Sequence, residues 1–439
     1  MKRFAPIVCL LFSVGAAQGQ TLVRLDEAVS LALESDETLQ QAAAAVAAAE
    51  ARVMAAQAGR LPTLDLAAEY ATNLKLPVMF LPSDLAASFG GQTRLEMGGD
   101  YELSGALTAR VNVWTAGRLS SSVGAARGYV DAARYRESAV RDYVRYSTAA
   151  AYFQALLARA ELANADLALA ETEEAARVAR LGLEQGTISR FDGLRAEVEL
   201  ANHRPRVVQA RNRVDLARLE LDRVCGTAVT PTDTLAPAQP PEPADILLAR
   251  MREASPELKA LTATVAAREQ QVRLEEAARG PVVQLSGHYA VQGQWDDTLL
   301  PGNDEPATSS QVALAVQMPI FDGLRAKAGI SGARAELRTA QLERDRVLRD
   351  RELAVRQAAL TLENALLALA GTQETVRLAQ ETYRLAVVRL ENGVGTPIER
   401  LDAELALSTA RAQLAGALHA SNLARAVLEL AVGNGGTKP

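Results

Sequence analysis

Two short turns hold the chain's closest groupings of chemistry-bearing side chains. One reads Glu184-Gln185-Gly186-Thr187-Ile188-Ser189 and is followed by Asp192 and Arg195. The other reads Glu391-Asn392-Gly393-Val394-Gly395-Thr396 and is followed by Glu399, Arg400 and Asp402. The bland chemistry of such residues is helix capping. Thr396, Pro397 and Glu399 fit the N-cap, N1 and N3 places of a capping box, and Ser189 with Asp192 repeats that geometry. Acids in a first helical turn also suit the positive end of the helix dipole. Asp402 lies beyond the cap contacts. The sharper chemistry is electrostatic, with Arg195 and Arg400 available to pair with the acids. Gly186, Gly393 and Gly395 suit a helix-ending turn, where positive φ is cheap. His203, His288 and His419 are scattered without metal spacing. No nucleophile elbow, phosphate loop or pair of catalytic acids is legible. The expectation is therefore no catalytic residue, no metal, no cofactor and no enzyme.

The two turns are one turn repeated. Gly186 and Gly393 stand 207 residues apart, as do Leu107 and Leu314, Trp114 and Phe321, Arg118 and Arg325, Leu194 and Leu401, Ala196 and Ala403, and Gly226 and Gly433. Upstream the offset is 219, pairing Leu39 with Leu258, Pro62 with Pro281 and Tyr70 with Tyr289. The first copy thus carries 12 extra residues between Tyr70 and Leu107. Each copy is far longer than a solenoid unit, so this is a duplicated half. Phe-Asp-Gly-Leu-Arg at 191–195 and 321–325 is out of that register and is coincidence.

Residues 1–19 read as a secretory signal peptide: Lys2 and Arg3 precede a short apolar core from Ile7 to Val14, and Ala17-Gln18-Gly19 offers a cleavage site. Cys9 lies inside it, so the mature chain keeps Cys225 alone, read as a buried apolar residue at a helix end. No later stretch is expected to reach the roughly 20 apolar residues of a membrane helix. A net charge of −6 without a basic stripe argues against nucleic acid. An exported chain of this kind is either soluble or crosses a membrane as strands.

The division expected is a first structural repeat at 20–229, a Pro-rich linker at 230–243, a second repeat at 244–432 and a frayed tail at 433–439. Each repeat reads helix, strand, loop, strand, very long helix, turn, helix. Helices are expected near 26–58, 118–184, 190–224, 245–278, 324–391 and 397–432, with Pro205 kinking one of them. A 67-residue helix spans about 100 Å, which two shorter helices stacked end to end can match. Leu348, Val355, Leu362, Leu369, Val376, Tyr383 and Leu390 recur every seven residues and predict a left-handed supercoil. The first copy keeps Leu162, Leu169 and Leu183 in that register but has Arg141 and Thr148 there. Strands are expected near 63–71, 101–113, 282–292 and 311–320. Leu64, Leu66 and Tyr70 alternate with polar residues, as do Leu103, Leu107 and Val111, Val283, Leu285 and Tyr289, and Val312, Leu314 and Val316. Such alternation marks a transmembrane β-barrel, and equally a half-buried soluble sheet. Four strands cannot close a barrel, and lipid tolerates no open edge. A membrane-spanning reading therefore requires oligomers: three copies give twelve strands, and a dimer closes more narrowly.

The chain resembles the TolC-type outer-membrane factor family. The resemblance covers nearly all of the mature chain. It rests on the duplication, the element order, Ser255-Pro256-Glu257-Leu258, Pro319-Ile320-Phe321-Asp322-Gly323, and Asn392-Gly393-Val394-Gly395-Thr396 followed by Leu401-Asp402-Ala403. It implies an α+β membrane protein, a homotrimer in which four strands per chain build a β-barrel in outer-membrane lipid. A long α-helical coiled-coil barrel extends from it into the periplasm. It implies docking on a periplasmic adaptor and an inner-membrane pump of RND or ABC type, and an exit duct for efflux. Type I protein secretion by the same duct is the near alternative. A soluble exported helical scaffold is the alternative of another class. The resemblance places the turns with Gly186, Thr187 and Ser189, and with Gly393, Gly395 and Thr396, at the periplasmic tip. It assigns an acidic entrance ring to Glu399 and Asp402 and a closing contact to Asp192. Stacked carboxylate rings concentrate cations in a narrow pore. Asn112 stands where the second copy has Pro319, a departure at the strand-to-helix junction.

Overall fold

The helices come in matched lengths. The computed structural model describes residues 21–86, 88, 90, 93–296, 299 and 305–433. The first copy runs β1 (Thr21–Val23), α1 (Leu25–Ser35), α2 (Glu37–Ala58), β2 (Thr63–Thr72), β3 (Val78–Phe80), α3 (Ser83–Ala86), β4 (Arg94–Glu96), β5 (Tyr101–Trp114), α4 (Arg118–Glu184) and α5 (Arg190–Cys225). After β6 (Val229–Pro231) follow α6 (Ala244–Ala254), α7 (Pro256–Ala277), β7 (Val282–Trp295), β8 (Ala307–Gln317), α8 (Arg325–Glu391) and α9 (Pro397–Val432). α1 and α6 have 11 residues each, α2 and α7 have 22, α4 and α8 have 67, and α5 and α9 have 36. The signal peptide at 1–19 and the tail beyond Gly433 lie outside the described residues.

Local chemistry explains the boundaries. The single helices expected near 26–58 and 245–278 are each broken once. Asp36 leaves the helix at ψ 122°, and its Oδ1 accepts the Leu39 N–H at 2.9 Å, restarting the helix as α2. Ser255 sits at ψ 114° because the following Pro256 disfavours helical backbone, and Pro256 then serves as a helix start. α5 continues through Pro205. Both long helices follow a pair of left-handed residues: Ala116-Gly117 before α4, and Gly323-Leu324 before α8. The strands before these pairs differ: β5 continues through Asn112 to Trp114, whereas β8 ends at Gln317, ahead of Pro319. α8 also corrects one expectation, since it holds an 18-residue window long and apolar enough, by composition, to cross a membrane. Its alanines and leucines serve helix packing as well, and Val355, Leu362 and Leu369 of the seven-residue seam are buried.

The described residues fall into two units. The first comprises those within Met1–Ala44, Tyr135–Lys259 and Asp345–Pro439. β1 and β6, too short to be read from sequence, pair in parallel there. Around them pack Ala28, Tyr152, Leu156, Leu221 and Cys225. The Tyr152 hydroxyl donates to Asp233 Oδ2 at 2.7 Å and lies 3.1 Å from the Val23 carbonyl. Burial, then the bond to Asp233, pushes Tyr152 up to about 12. Burial likewise raises the Cys225 thiol to about 11, leaving it an inert core residue at the end of α5. Thr148, where the second copy has Val355, is fully buried and donates to the Val144 carbonyl at 2.7 Å.

The second unit comprises Ala45–Arg134 and Ala260–Arg344. Its sheet has the order β2-β5-β7-β8, antiparallel throughout. The register sets Leu64, Ala109, Gly287 and Val312 in one row, and Leu66, Leu107, Tyr289 and Ser310 in another. These rows share one face, which remains open: Leu66 and Val312 are each 79% exposed. The intervening rows, such as Asp65, Thr108, His288 and Gln311, make the opposite face polar. Arg110 pairs with Asp65 at 3.2 Å on that face. Tyr70, Tyr101 and Trp295 cluster at one end of the apolar face, with centroids 6.0–6.3 Å apart. A separate hairpin, β3 with β4, lies in the connection between β2 and β5.

Tyr152→Phe is expected to lower stability by about 1–2 kcal/mol, because a buried carbonyl and a carboxylate lose a donor. The check is the urea midpoint of the solubilised protein, and an unmoved midpoint contradicts the account.

Candidate functional site

The two turns are built alike and sealed differently. Gly186 and Gly393 take φ of 72° and 71°, the left-handed backbone that ends α4 and α8. The Thr187 N–H donates to the Gly182 carbonyl at 2.8 Å, and the Val394 N–H to the Arg389 carbonyl at 3.0 Å. Gly395 serves by size rather than φ: a Cβ there would lie 2.9 Å from the Leu390 nitrogen. The first copy has bulky Ile188 at that position and finds its room at Gly182, where the second copy has Arg389.

The N-cap bonds of the capping reading are present at both turns, while the carboxylates of Asp192 and Glu399 go to other partners instead of closing a capping box. The Asp192 N–H donates to Ser189 Oγ at 3.1 Å, and that hydroxyl donates to Asp192 Oδ2 at 2.6 Å. The Glu399 N–H donates to Thr396 Oγ1 at 3.2 Å. The Glu399 carboxylate turns away from its own cap toward Arg389, 3.4 Å off, which also reaches the Val394 carbonyl. Asp402 meets Arg195 at 3.2 Å, with side chains 63% and 44% exposed. These two are repeat-equivalent positions, so an internal pseudo-symmetry is closed by opposite charges. Arg400 does not pair with an acid through its side chain here; its Nη2 donates to the Glu171 carbonyl at 3.5 Å. A cavity of about 360 Å³ separates the two turns, walled by Val178, Ile188, Leu390, Ile398 and Leu401, with Asp192 and Arg400 also lining it. The arrangement can set a local field and a separable ion-paired contact. It brings together no nucleophile and base, and among the described residues no group of His, Cys, Asp and Glu can hold a metal.

Reading the turns alone misses Glu404. It is buried, its Oε1 lies 3.2 Å from the Thr172 hydroxyl, which donates to the Ala168 carbonyl at 2.6 Å, and its Oε2 has no hydrogen bond. Burial, then the neighbouring Glu171 charge, pushes its carboxyl up to about 7. A signal was available: Leu401, Glu404 and Ser408 follow helical spacing, so the acid interrupts a packed stripe of α9.

Comparison with known proteins adds three findings. The family described as outer membrane efflux protein matches residues 28–227 and 247–434. Protein CyaE of Bordetella pertussis is 29% identical over 322 residues, 71% of this chain; the chain spans 63% of that relative's length. Among solved structures, VceC of Vibrio cholerae superposes with a TM-score of 0.74 at 19% identity, covering 93% of this chain and 96% of the other. The open state of the MtrE outer membrane channel of Neisseria gonorrhoeae gives 0.76 at 20% identity, covering 94% and 89%. These two likenesses concern the fold.

Thr396→Ala is expected to cost about 1 kcal/mol through the lost cap. Arg195→Ala is expected to cost less than about 1 kcal/mol, since its ion pair is solvated. Unfolding midpoints of the two variants give the order, and a larger loss for Arg195→Ala speaks against it.

Proposed function

We propose, from the premise that this chain belongs to the outer membrane efflux protein family, that it is the passive exit duct of a tripartite efflux system. The observation that carries this reading is the sheet with one open apolar face and two one-sided edges, β2 and β8. In lipid such a face is satisfied and such edges are not, so copies must pair edge to edge. Three copies supply twelve strands. β5 and β7, at 14 residues each, exceed the roughly 9–11 that a tilted strand needs to cross. The Tyr70, Tyr101 and Trp295 cluster fits one interfacial girdle, and Trp114 with Phe321, both at least half exposed, fits the other.

The helices support the same assembly. Leu353, Leu360, Leu367, Leu378 and Leu385 fall on one face of α8 and are all about half exposed or more. A neighbouring copy covers that stripe in the homotrimer. The polar sheet face lines the lumen. The repeats at 20–229 and 244–432 then each contribute one hairpin and one pair of helical columns per chain, after export directed by residues 1–19.

At the periplasmic tip, Gly186, Thr187, Ser189, Gly393, Gly395 and Thr396 shape the turns that meet a periplasmic adaptor. Glu399 and Asp402 form the acidic ring, and Asp192 a closing contact. The Arg195–Asp402 pair supports a latch between the two halves of one chain, and Arg400 a backbone tie. The energy is the inner-membrane pump's, of RND or ABC type. Cross-linking intact cells and identifying the co-purified pump separates efflux from type I secretion. Recovery of the protein only in the soluble fraction, without an adaptor, would return it to the scaffold class.

The Glu399→Ala/Asp402→Ala double variant is expected to lose cation preference in single-channel recordings across a planar bilayer. Unchanged selectivity and conductance remove the ring.

A further inference from the structure

Glu404 differs from the tip acids in every physical respect. It is 4% exposed, and among the described residues it is the one buried acid. Its Oε2 is sealed from solvent and unpartnered. The side chain lines a cavity of about 10 Å³, room for roughly one water. Thr172, Glu199, His203 and Ser408 supply the polar wall. The charged and titratable groups around it are Glu171 on α4, Glu199 and His203 on α5, Tyr383 on α8 and Arg400 on α9. Two of these are acids and one is an arginine. An ionised Glu404 would place an unpaired oxygen charge in this enclosure, an expensive arrangement. A neutral carboxyl instead gains a donor, and Glu199 and Ser408 offer acceptors along the same wall. His203 does not substitute as a counter-charge, because burial and then Arg206 lower its affinity for a proton.

The duplication provides an internal control. Glu197 is the first-copy counterpart of Glu404, half exposed and 3.7 Å from Arg180. Where α4 has Arg180, α8 has Val387. The second copy has kept the carboxylate, buried it and lost its arginine.

We propose that Glu404 is a proton-binding site, neutral in the packed arrangement of α4, α5 and α9, and that its ionisation loosens that packing next to the second turn. The inference does not depend on the channel reading. Burial, then Glu171, places the transition at about 7, against an ordinary value of 4.5. The folded state therefore holds a proton that the unfolded state releases. Stability from this group falls as pH rises through that window and is level above it.

The test is hydrogen exchange of the full-length solubilised protein between pH of about 5 and about 8, corrected for the intrinsic rate. The peptides to follow are those covering 168–176 and 397–410. Protection is expected to fall with rising pH in the native protein and to stay level in Glu404→Gln. Glu171→Gln, which removes the neighbouring negative charge, is expected to move the midpoint to lower pH. A Glu404→Gln variant that keeps the native slope overturns the proposal. If that variant fails to fold, a Glu171→Gln midpoint that stays in place overturns it equally.

Discussion

Backbone hydrogen bonding in lipid is the constraint on which the rest of this structure depends. A strand that leaves water must find a neighbour on both sides. The sheet gives β5 and β7 two neighbours each and β2 and β8 one. Its apolar rows cannot be hidden by folding alone, since they stay open in the folded chain. Everything else is consistent with that deficit being met by other copies. The α8 leucine stripe is likewise apolar and likewise uncovered. Sheet and helices thus lack the same thing, and one symmetric assembly supplies both.

Duplication fixed the frame and then allowed the copies to diverge at points of contact. Helix lengths match residue for residue across the repeats. The left-handed pair before each long helix is kept, while glycine has moved from its second place to its first. Steric room at the turns has been traded between Gly182 and Gly395. Equivalent positions became Arg195 and Asp402 and now attract each other. Equivalent carboxylates became Glu197, solvated and paired, and Glu404, enclosed and unpaired. Divergence has changed the charge at these contacts while the paired helices keep their lengths.

What the sequence made legible follows from periodicity. Alternation over about ten residues exposed the four long strands, and the seven-residue seam exposed α8, because both signals accumulate over many positions. The breaks at Asp36 and Ser255 were not read, since each is a single capping residue inside an otherwise unbroken helical pattern. β1 and β6 were missed for a related reason: three residues carry no period, and their pairing depends on chain 208 residues away. At the turns, residue type identified the caps correctly, but only coordinates reveal that Glu399 leans on Arg389 and that Arg400 reaches a carbonyl. Glu404 was missed because it lies beyond the turns, although an acid interrupting the apolar stripe of α9 was the available signal.

The central seam of the sheet joins β5 to β7, with Thr108 and His288 bonded across 180 residues of intervening chain. Neither half can therefore complete its strands by itself. The helical hairpins are local and can form as the polypeptide emerges, whereas the sheet must wait for β8, which ends at Gln317 of 439 residues. During that interval the β2–β5 hairpin is an apolar ribbon with a free edge in water, prone to mispairing. Biogenesis of this protein thus has a built-in delay, in which the strands within 63–114 stay short of their partners until 282–317 arrive.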